Sequence, residues 1–264
     1  MQFDLSIIIP AYNEEHRIEP TLVTVDTFLA RMHVSYEIVV VDDGSTDDTT
    51  GLVERLAECM TALRCISTRP NRGKGHAVRV GMLAARGKVR LLCDADGSIP
   101  PYEIPTLVAR VMAGEVDIAI GSRYVDGSRT ERRQPFYRRW WSRLANQVVQ
   151  RTLVGGIRDT QCGFKAFTAE AADAIFGLAR IDGWAFDLEV LALARRMGYS
   201  VAEIGVVWSD DPRSRISPLR DAWNVFRELL IIRGNFSRGL YGDLHARPRT
   251  LLAPVSAARS PAVS

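Results

Sequence analysis

The chain has 264 residues, and 47% of them are hydrophobic, which is enough to bury a sizeable core in one or two domains. Its formal net charge of +3 is too small to indicate nucleic-acid binding, and its pI near 8.8 only weakly favours an anionic surface as a partner. No run of about 18 apolar residues is present, so we expect no membrane-spanning helix and only peripheral membrane contact.

Cysteine spacing and the start of the chain bear on the cellular compartment. The four cysteines form no C-x-x-C pair and show no zinc-type spacing. The first residues do not have the pattern of a signal peptide. Both features predict a cytosolic protein with reduced thiols.

Along the first hundred residues, short apolar runs alternate four times with helical patterns. The predicted strands and helices cover residues 5–10, 14–32, 36–41, 49–60, 63–67, 76–85 and 90–93 in turn, beginning with a strand. This alternation predicts an α/β fold with a mostly parallel central sheet and helices on both faces. In such sheets, ligands bind beyond the carboxyl ends of the strands.

Three polar clusters follow predicted strands at that edge, at residues 10–14, 42–45 and 94–98. A single acidic turn with glycine is ordinary, but three of them at one edge predict a nucleotide site. A glycine-rich turn at residues 73–75 opens a helix, where it can approach a phosphate. The chain lacks both the P-loop and the G-x-G-x-x-G signatures.

The most informative cluster contains Asp94 and Asp96, which directly follow a predicted buried strand. Carboxylate oxygens are hard ligands, which Mg²⁺ and Mn²⁺ prefer together with a bound diphosphate. An isolated D-x-D is more often a simple acidic turn. The neighbouring clusters favour a metal site instead.

After residue 100, helical and strand patterns continue. The predicted elements are helices to about 112 and over 168–176 and 183–197, strands over 117–121 and 201–208, and a loop over 156–165. Beyond Ser237 the composition changes to Arg, Pro, Ala and Ser, which predicts a mobile tail. We therefore expect one domain over 1–236, whose halves meet near residue 100, and a disordered tail over 237–264.

A basic segment between Arg129 and Arg143 contains six arginines, one acid and the adjacent tryptophans Trp140 and Trp141. A solvated face is the ordinary explanation. Arginine mixed with tryptophan fits a membrane interface better, because indole rings favour the headgroup region. We expect no nucleic-acid binding, since no recognised motif accompanies the segment. An apolar stripe over 217–232 is expected to pack on the core, with a bilayer surface as the alternative.

Together these motifs resemble the A-type fold of inverting nucleotide-sugar glycosyltransferases, in the large family 2 that contains the polyprenyl-phosphate sugar synthases. The resemblance covers about residues 4–234 and implies a Rossmann-like nucleotide-binding half. The stretches that carry it are Ile9–Glu14, Val41–Asp47, Asn71–Gly75 and Asp94–Gly97. Residues 156–165 and 184–187 are especially similar to the dolichyl-phosphate β-glucosyltransferase branch, and the dolichyl-phosphate mannose synthases resemble them less.

The resemblance implies roles for residues on the donor side. The positions that match nucleotide-sugar contacts are Pro10, Ala11, Tyr12, Glu14, Asp42, Asp43, Asn71, Lys74, Asp94, Ala95 and Asp96. Either Asp42 or Asp43 matches the acid that reads the base, and the sequence leaves the choice open. Asp94 and Asp96 match the motif that holds the diphosphate and the metal, Mg²⁺ or Mn²⁺.

On the acceptor side, Arg123 and Arg138 match basic residues that the mannose synthases use around the acceptor phosphate, and Gln161 is a further candidate. The candidates for direct roles in catalysis are Asp96, Arg123, Arg138 and Asp159. Ser98 stands where the mannose synthases often have a glutamine that helps to hold the metal, so a third protein ligand is unassigned. The membrane-spanning C-terminal helices of the family are not found in this sequence.

The implied reaction is a metal-dependent, inverting transfer of a sugar from a nucleotide sugar to a polyprenyl phosphate, which gives a β-linked product. UDP-glucose or a UDP-N-acetylhexosamine is favoured as the donor over GDP-mannose. The lipid phosphate is itself a nucleophile, so no protein base is expected. The protein is expected at the cytoplasmic side of the cell membrane, and the oligomeric state is open.

Two alternatives stay open. A related transferase that acts on a sugar or protein hydroxyl would need a general base, for which Asp159, Asp187 and Glu189 are candidates. Asp187 and Glu189 can also simply complement the dipole at a helix start. A non-catalytic nucleotide-sugar-binding module is disfavoured by the intact pair of Asp94 and Asp96.

Overall fold

A computed structural model describes residues 3–130, 156–209, 218–242 and 244 of the chain. Arg138 and the Trp140–Trp141 pair lie outside these ranges, as does most of the predicted tail. The strands are β1 Phe3–Ala11, β2 Tyr36–Asp42, β3 Leu63–Ser67, β4 Gly87–Leu92, β5 Ile118–Ser122, β6 Arg129–Thr130, β7 Lys165–Thr168, β8 Val201–Gly205 and β9 Val207–Trp208. The helices are α1 Ile18–Leu29, α2 Thr49–Cys59, α3 Lys74–Ala84, α4 Ile104–Met112, α5 Ala169–Leu178, α6 Phe186–Arg196 and α7 Pro218–Ser237.

Seven of these strands form a central sheet in the order β3-β2-β1-β4-β7-β5-β8. β1 pairs in parallel with β2 and β4, β2 pairs in parallel with β3, and β5 pairs in parallel with β8. β7 runs antiparallel to both of its neighbours, β4 and β5. The predicted α/β fold with a mostly parallel sheet is confirmed. β6 and β9 form a separate two-stranded parallel ribbon.

Helices cover both faces of the sheet. Along β1, Ile7 and Ile9 pack in the core that contains side chains of α1, α2 and α4, whereas Ile8 packs in the core of α3, α5 and α6. Strands that are buried on both faces need apolar side chains at successive positions. This explains the uninterrupted apolar runs Ile7–Ile9 in β1 and Ile38–Val41 in β2, which made these two strands predictable.

The strand β7 is absent from the predicted elements. It has only four residues, and its lysine interrupts the apolar pattern that identifies a buried strand. Two boundaries also differ from expectation. The predicted strand over 201–208 is divided into β8 and β9. Helix α1 begins at Ile18, because the preceding residues are tied to the loop after β2, where the Asn13 N–H donates to Ser45 Oγ at 2.9 Å.

One edge of the sheet collects the polar residues. The parallel strands β1, β2 and β4 end there, and Ile8 of β1 pairs with Leu92 of β4 close to that end. The antiparallel β7 begins there, because Lys165 also pairs with Leu92. We call this edge the site edge. The reversed direction of β7 brings the loop that precedes it next to the polar residues that follow β4.

Helix α7 carries the predicted apolar stripe. Leu229 and Ile232 are buried in the core that α3, α5 and α6 share, as expected. Phe226 and Leu230 are 47% and 53% exposed. The helix therefore packs on the body through one face and leaves other large apolar side chains in contact with solvent.

Candidate active site

Asp94, which follows β4 at the site edge, is held by two neighbours. Its Oδ1 lies 2.6 Å from the ammonium nitrogen of Lys74, and its side chain is 33% exposed. The backbone of Gly163 also lies so close that a Cβ on this residue would collide with the Asp94 carboxylate. Glycine permits such a close approach of the backbone. The carboxylate therefore has a fixed place between the start of α3 and the loop before β7.

Asp96 lies two residues further along the same turn. Its Oδ1 accepts a hydrogen bond from the Ser98 N–H at 3.0 Å, and its side chain is partly exposed. The spacing of the two acids thus places both carboxylates after the central strand, as the sequence predicts.

Lys74 is the first residue of α3, and its ammonium faces these acids. Burial lowers the pKa of this ammonium, but the carboxylates of Asp94, Asp187 and Asp96 outweigh burial and raise the pKa above its ordinary value. The indole ring of Trp184, which is half exposed, lies 5.4 Å from the same nitrogen, within the range of a cation–π interaction. Lys74 is therefore charged, and its ammonium already interacts with Asp94 and Trp184.

Asp43 holds the turn before α3. Its buried carboxylate accepts hydrogen bonds from the N–H groups of Arg72 at 2.9 Å and Gly73 at 2.6 Å, and it lies 3.0 Å from His76 Nδ1. Gly73 has a φ of 119°, and a Cβ there would collide with the carbonyl oxygen of Asp182. Asp43 therefore fixes where α3 starts.

Asp42, the last residue of β2, is buried among hydroxyl groups. Its carboxylate accepts hydrogen bonds from Thr50 Oγ1 at 2.7 Å and Ser67 Oγ at 3.3 Å, and also from Ser45. Both acids of this turn thus have partners within the protein. The choice of Asp42 or Asp43 as the acid that reads the base stays a prediction.

The other predicted donor residues differ in exposure. Pro10, Ala11 and Ala95 are buried, and Tyr12 is 44% exposed. The Glu14 carboxylate accepts two hydrogen bonds from the Arg17 guanidinium, at 2.6 and 2.7 Å. Asn71 is exposed in the turn before α3. Among the nucleotide contacts predicted at the end of β1, Tyr12 offers the most accessible side chain.

Arg123 follows β5 and forms a bidentate ion pair with Asp159. Its Nε and Nη2 donate to Asp159 Oδ2 and Oδ1 at 2.8 and 2.9 Å, and its backbone N–H donates to Oδ2 at 3.0 Å. The guanidinium carbon lies 5.3 Å from the Trp208 ring centre and 5.6 Å from that of Tyr124. Glu203 accepts the Asp159 N–H at 2.8 Å. The guanidinium therefore has a fixed orientation.

The ion pair decides the protonation of Asp159. Burial raises the pKa of this carboxyl, but hydrogen bonds from Arg123 outweigh burial and hold the pKa below its ordinary value. A carboxylate held in this way is a weak proton acceptor. Asp159 is thus suited to orienting Arg123 and not to the role of a general base. Gln161, the other acceptor-side candidate, is exposed.

A second ion pair lies where β7 begins. Lys165 Nζ lies 2.5 Å from Asp187 Oδ1 and donates to the Cys162 carbonyl at 2.5 Å, and both side chains of the ion pair are buried. Burial raises the pKa of Asp187, although the charges of Lys165 and Lys74 oppose this shift. The Asp187 carboxylate is therefore part of the same charged cluster as Lys74.

Glu189 is held by hydrogen bonds that are separate from this charged cluster. It lies in the first turn of α6, as expected for an acid at a helix start, but it is buried. It accepts hydrogen bonds from the N–H groups of Arg180 and Ile181 at 2.9 and 2.8 Å, and from the Tyr241 hydroxyl at 2.5 Å. Glu189 therefore orders the loop before α6.

The donor set at the site edge fits a divalent metal that is shared with a diphosphate. Among the residues that the structure describes, no group of three or more His, Cys, Asp or Glu side chains could hold a metal ion. Asp94 and Asp96 supply two carboxylates, and Mg²⁺ is commonly bound by one or two carboxylates together with substrate phosphates and water. The residues present therefore suit a metal that binds with its nucleotide.

Four residues at or near the site edge have no role in the sequence predictions, namely Gly163, Lys165, Trp184 and Trp208. A signal for Lys165 was available, because a lysine between Phe164 and Phe167 must be paired if it is buried. The part of Gly163 depends on its contact with Asp94, which no local pattern reveals.

Comparisons with known proteins agree with this architecture. The profile of the family described as "Glycosyl transferase family 2" matches residues 6–176. The dolichyl-phosphate beta-glucosyltransferase of Dictyostelium discoideum is 35% identical over 249 residues, covering 90% of this chain and 76% of that protein. The protein of the same name from Saccharomyces cerevisiae is 34% identical over 256 residues, covering 90% and 77%.

A solved structure shares the fold at low sequence identity. Glucosyl-3-phosphoglycerate synthase from Mycobacterium tuberculosis, in complex with Mn²⁺, UDP-glucose and phosphoglyceric acid, has a TM-score of 0.64 and 22% identity. The likeness covers 88% of this chain and 80% of that one, so the predicted A-type fold is confirmed. The family profile and the relatives together show that the chain is a glycosyltransferase that belongs to glycosyl transferase family 2.

Proposed function

We propose that this protein transfers a sugar from a nucleotide sugar, with UDP-glucose favoured, to the phosphate of a polyprenyl phosphate. The reaction depends on a divalent metal and inverts the anomeric centre, giving a β-linked lipid product. The observation that carries the proposal is an arrangement of charges in which each of the three candidate bases already has a partner among the described residues. Acids and a lysine face the donor side of the site edge, and a fixed guanidinium lies on the other side. The similarity to dolichyl-phosphate β-glucosyltransferases supports this choice of donor and acceptor.

On the donor side, Asp94 and Asp96 would hold Mg²⁺ or Mn²⁺, and Lys74 lies within reach of the same region. When bound, the ion neutralises charge on the departing nucleoside diphosphate. Asp43 contributes indirectly, because its hydrogen bonds to the turn before α3 set the position of Lys74.

On the acceptor side, Arg123 would orient the lipid phosphate. A guanidinium matches the geometry of a phosphate, and the ion pair with Asp159 orients it before the acceptor arrives. A phosphate oxygen then forms the bond to the anomeric carbon while the bond to the diphosphate breaks. No proton has to be removed from the nucleophile, so positioning and electrostatics account for the rate. Arg138, which lies outside the described residues, is proposed for the same phosphate.

A transferase with a hydroxyl acceptor is less compatible with these contacts, because it needs a carboxylate base. Asp159 is paired with Arg123, and Asp187 is paired with Lys165. Glu189 is bound by a tyrosine hydroxyl and two N–H groups. Each of the three candidate bases thus already has a strong partner.

The proposed acceptor is a lipid, and helix α7 offers a face for the membrane surface. Within the described residues, no helix combines the length and the apolar character needed to cross a bilayer. Phe226, Leu230 and Arg227 are exposed together on α7. The one acid between residues 224 and 242 is Glu228, which accepts the Ala185 N–H at 2.7 Å. Between residues 224 and 242, exposed apolar and basic groups without an exposed acid suit an anionic headgroup layer.

A transfer assay tests the proposal. UDP-[¹⁴C]glucose, a short-chain polyprenyl phosphate and Mn²⁺ should give a radioactive product that extracts into organic solvent. Parallel reactions with UDP-N-acetylglucosamine and GDP-mannose rank the donors, and a reaction with EDTA tests the metal. Lipid-soluble label from GDP-mannose alone would overturn the donor assignment. Transfer to water-soluble 3-phosphoglycerate and not to the lipid would overturn the acceptor assignment.

A further inference from the structure

Lys74 is in direct contact with Asp94, one of the two acids that would hold the metal. The ammonium contacts Asp94 Oδ1 at 2.6 Å, and the backbone of Gly163 is pressed against the same carboxylate. An ammonium and a metal cation both seek the carboxylate lone pairs, and neither tolerates the other at contact distance because their charges repel. On Asp94, the lysine and a metal are therefore competitors.

The charge of the surrounding cluster leads to the same competition. The carboxylates of Asp94, Asp96 and Asp187 act on Lys74, and Lys165 is paired with Asp187. Three acids and two ammonium groups leave one net negative charge, so a divalent cation that arrives alone makes the cluster positive. An anionic diphosphate that arrives with the metal restores the balance, and it offers the displaced ammonium a new partner.

We propose that Lys74 competes with the metal for Asp94 and is transferred to the diphosphate when the donor binds. Metal binding then depends on the nucleotide, and the free protein holds the metal only weakly. The inference rests on the proposed donor site and adds that tight metal binding requires the nucleotide to be present. Trp184 stabilises the lysine in the position where it contacts Asp94, because the centre of its ring lies 5.4 Å from the ammonium nitrogen.

Equilibrium binding of Mn²⁺ tests the competition without any need for turnover. Free Mn²⁺ is measured by electron paramagnetic resonance in titrations of the wild type and Lys74→Met, each with and without UDP. For Lys74→Met we expect Mn²⁺ alone to bind about tenfold tighter or more, because a repelling charge at contact distance has been removed. The gain in Mn²⁺ affinity that UDP produces should become smaller in this variant, since the displaced ammonium no longer contributes.

Three controls separate this effect from others. Lys74→Arg keeps the charge and should retain weak binding of Mn²⁺ alone. Lys88→Met removes another ion-paired lysine, whose partner Asp4 is 2.8 Å away, and should behave as the wild type. Asp94→Asn should abolish the tight Mn²⁺ binding of the Lys74→Met background. A thermal melt checks folding, and Lys74→Gln replaces Lys74→Met if the latter does not fold.

The outcomes distinguish the inference from the function on which it rests. If Lys74→Met binds Mn²⁺ alone no more tightly than the wild type, while both bind Mn²⁺ with UDP, the competition is refuted and the donor site stands. If the wild type binds no Mn²⁺ even with UDP, the metal-dependent donor site fails, and the competition fails with it.

Discussion

The two sides of the site edge are built in different ways. On the side of β1, β2 and β4, Asp42 and Asp43 at the end of β2 accept hydrogen bonds from nearby hydroxyl and N–H groups. On the side of β5 and β7, the acids form ion pairs with Arg123 and Lys165. The acids of the first side therefore fix the conformation of the backbone around the site. The acids of the second side fix the positions of cationic side chains.

This difference suits the two ligands of the proposed reaction. A nucleotide has a constant shape that a rigid backbone can match, whereas the acceptor phosphate is recognised by its charge. Lys74 is the exception on the first side. It is a cation, and it interacts both with Asp94 on its own side and with Asp187 on the second side. Changes on either side should thus affect different steps of the reaction.

The largest effect is expected from Asp96→Asn on the donor side. Transfer should fall by about 10³-fold or more, since the charge that holds the metal near the diphosphate is lost. The fold should be unaffected, because the side chain is partly exposed and, among the described residues, accepts a hydrogen bond only from the Ser98 N–H, which an amide oxygen can also accept. Transfer rates and a thermal melt measure the two properties. Full activity of this variant, or of the wild type in EDTA, would contradict the metal assignment.

Gly163→Ala tests whether the two sides must touch. The added Cβ would collide with the Asp94 carboxylate and displace it, and a misplacement of about 1 Å can reduce a rate by about 10²-fold. Gly177→Ala in α5 is the matched control, because no atom outside its own stretch of helix lies within 4 Å of its Cβ position. Steady-state rates should fall for the first variant and not for the second. Equal rates for the two variants would mean that the loop before β7 can shift to accommodate the added methyl group without affecting transfer.

Asp159→Asn addresses the acceptor side alone. Loss of the ion pair frees the Arg123 guanidinium, so we expect the apparent KM for polyprenyl phosphate to rise about tenfold while UDP binding is unchanged. Asp4→Asn, which removes the partner of the exposed Lys88, is the control with an ion pair far from the site edge. Steady-state kinetics with varied polyprenyl phosphate measure the KM, and calorimetry with UDP measures the affinity for the nucleotide. A change in UDP affinity of similar size would argue against a separate acceptor side.

The same ion pair makes a prediction about acid stability. The pKa of Asp159 is lower in the folded protein than its unfolded value, because hydrogen bonds from Arg123 outweigh burial. Its contribution to the free energy of unfolding is therefore present above about pH 4 and is lost as the pH falls through the folded pKa.

At neutral pH, we expect Asp159→Asn to lower the free energy of unfolding by roughly 2–3 kcal/mol, since Arg123 is partly exposed and screened by solvent. Below pH 4 the wild type and the variant should converge. Urea unfolding at several pH values measures the difference. A gap between them that stays constant down to pH 3 would show that the ion pair is not its source.

The smallest effect is expected outside the site edge, on α7. A Phe226→Ser/Leu230→Ser variant should float less well with anionic vesicles, because exposed apolar area has been removed. Added salt should weaken the binding of the wild type, since it screens the arginines. Leu83→Ser removes a similarly exposed leucine from α3 and should have no effect. Unchanged flotation of the α7 variant would assign this face no part in membrane contact.

Much of the donor side was open to prediction because its signals are local. Apolar runs and glycine-containing acidic turns lie within a few residues of each other, and parallel strands bring their ends to one edge. The orientation of the individual acids was not open to prediction. Asp43, for example, turns toward the start of α3, and this depends on a contact across 29 residues of sequence.

By itself, the sequence determined the α/β alternation, the position of Asp94 and Asp96 after the central strand, and the family. Each of these depends on periodicity or on a contiguous motif. Only the tertiary structure decided that β7 runs antiparallel, that Gly163 lies against Asp94, and that Lys165 pairs with Asp187. These features join segments far apart in the chain, and their energies come from burial and charge pairing that exist only once the segments have met.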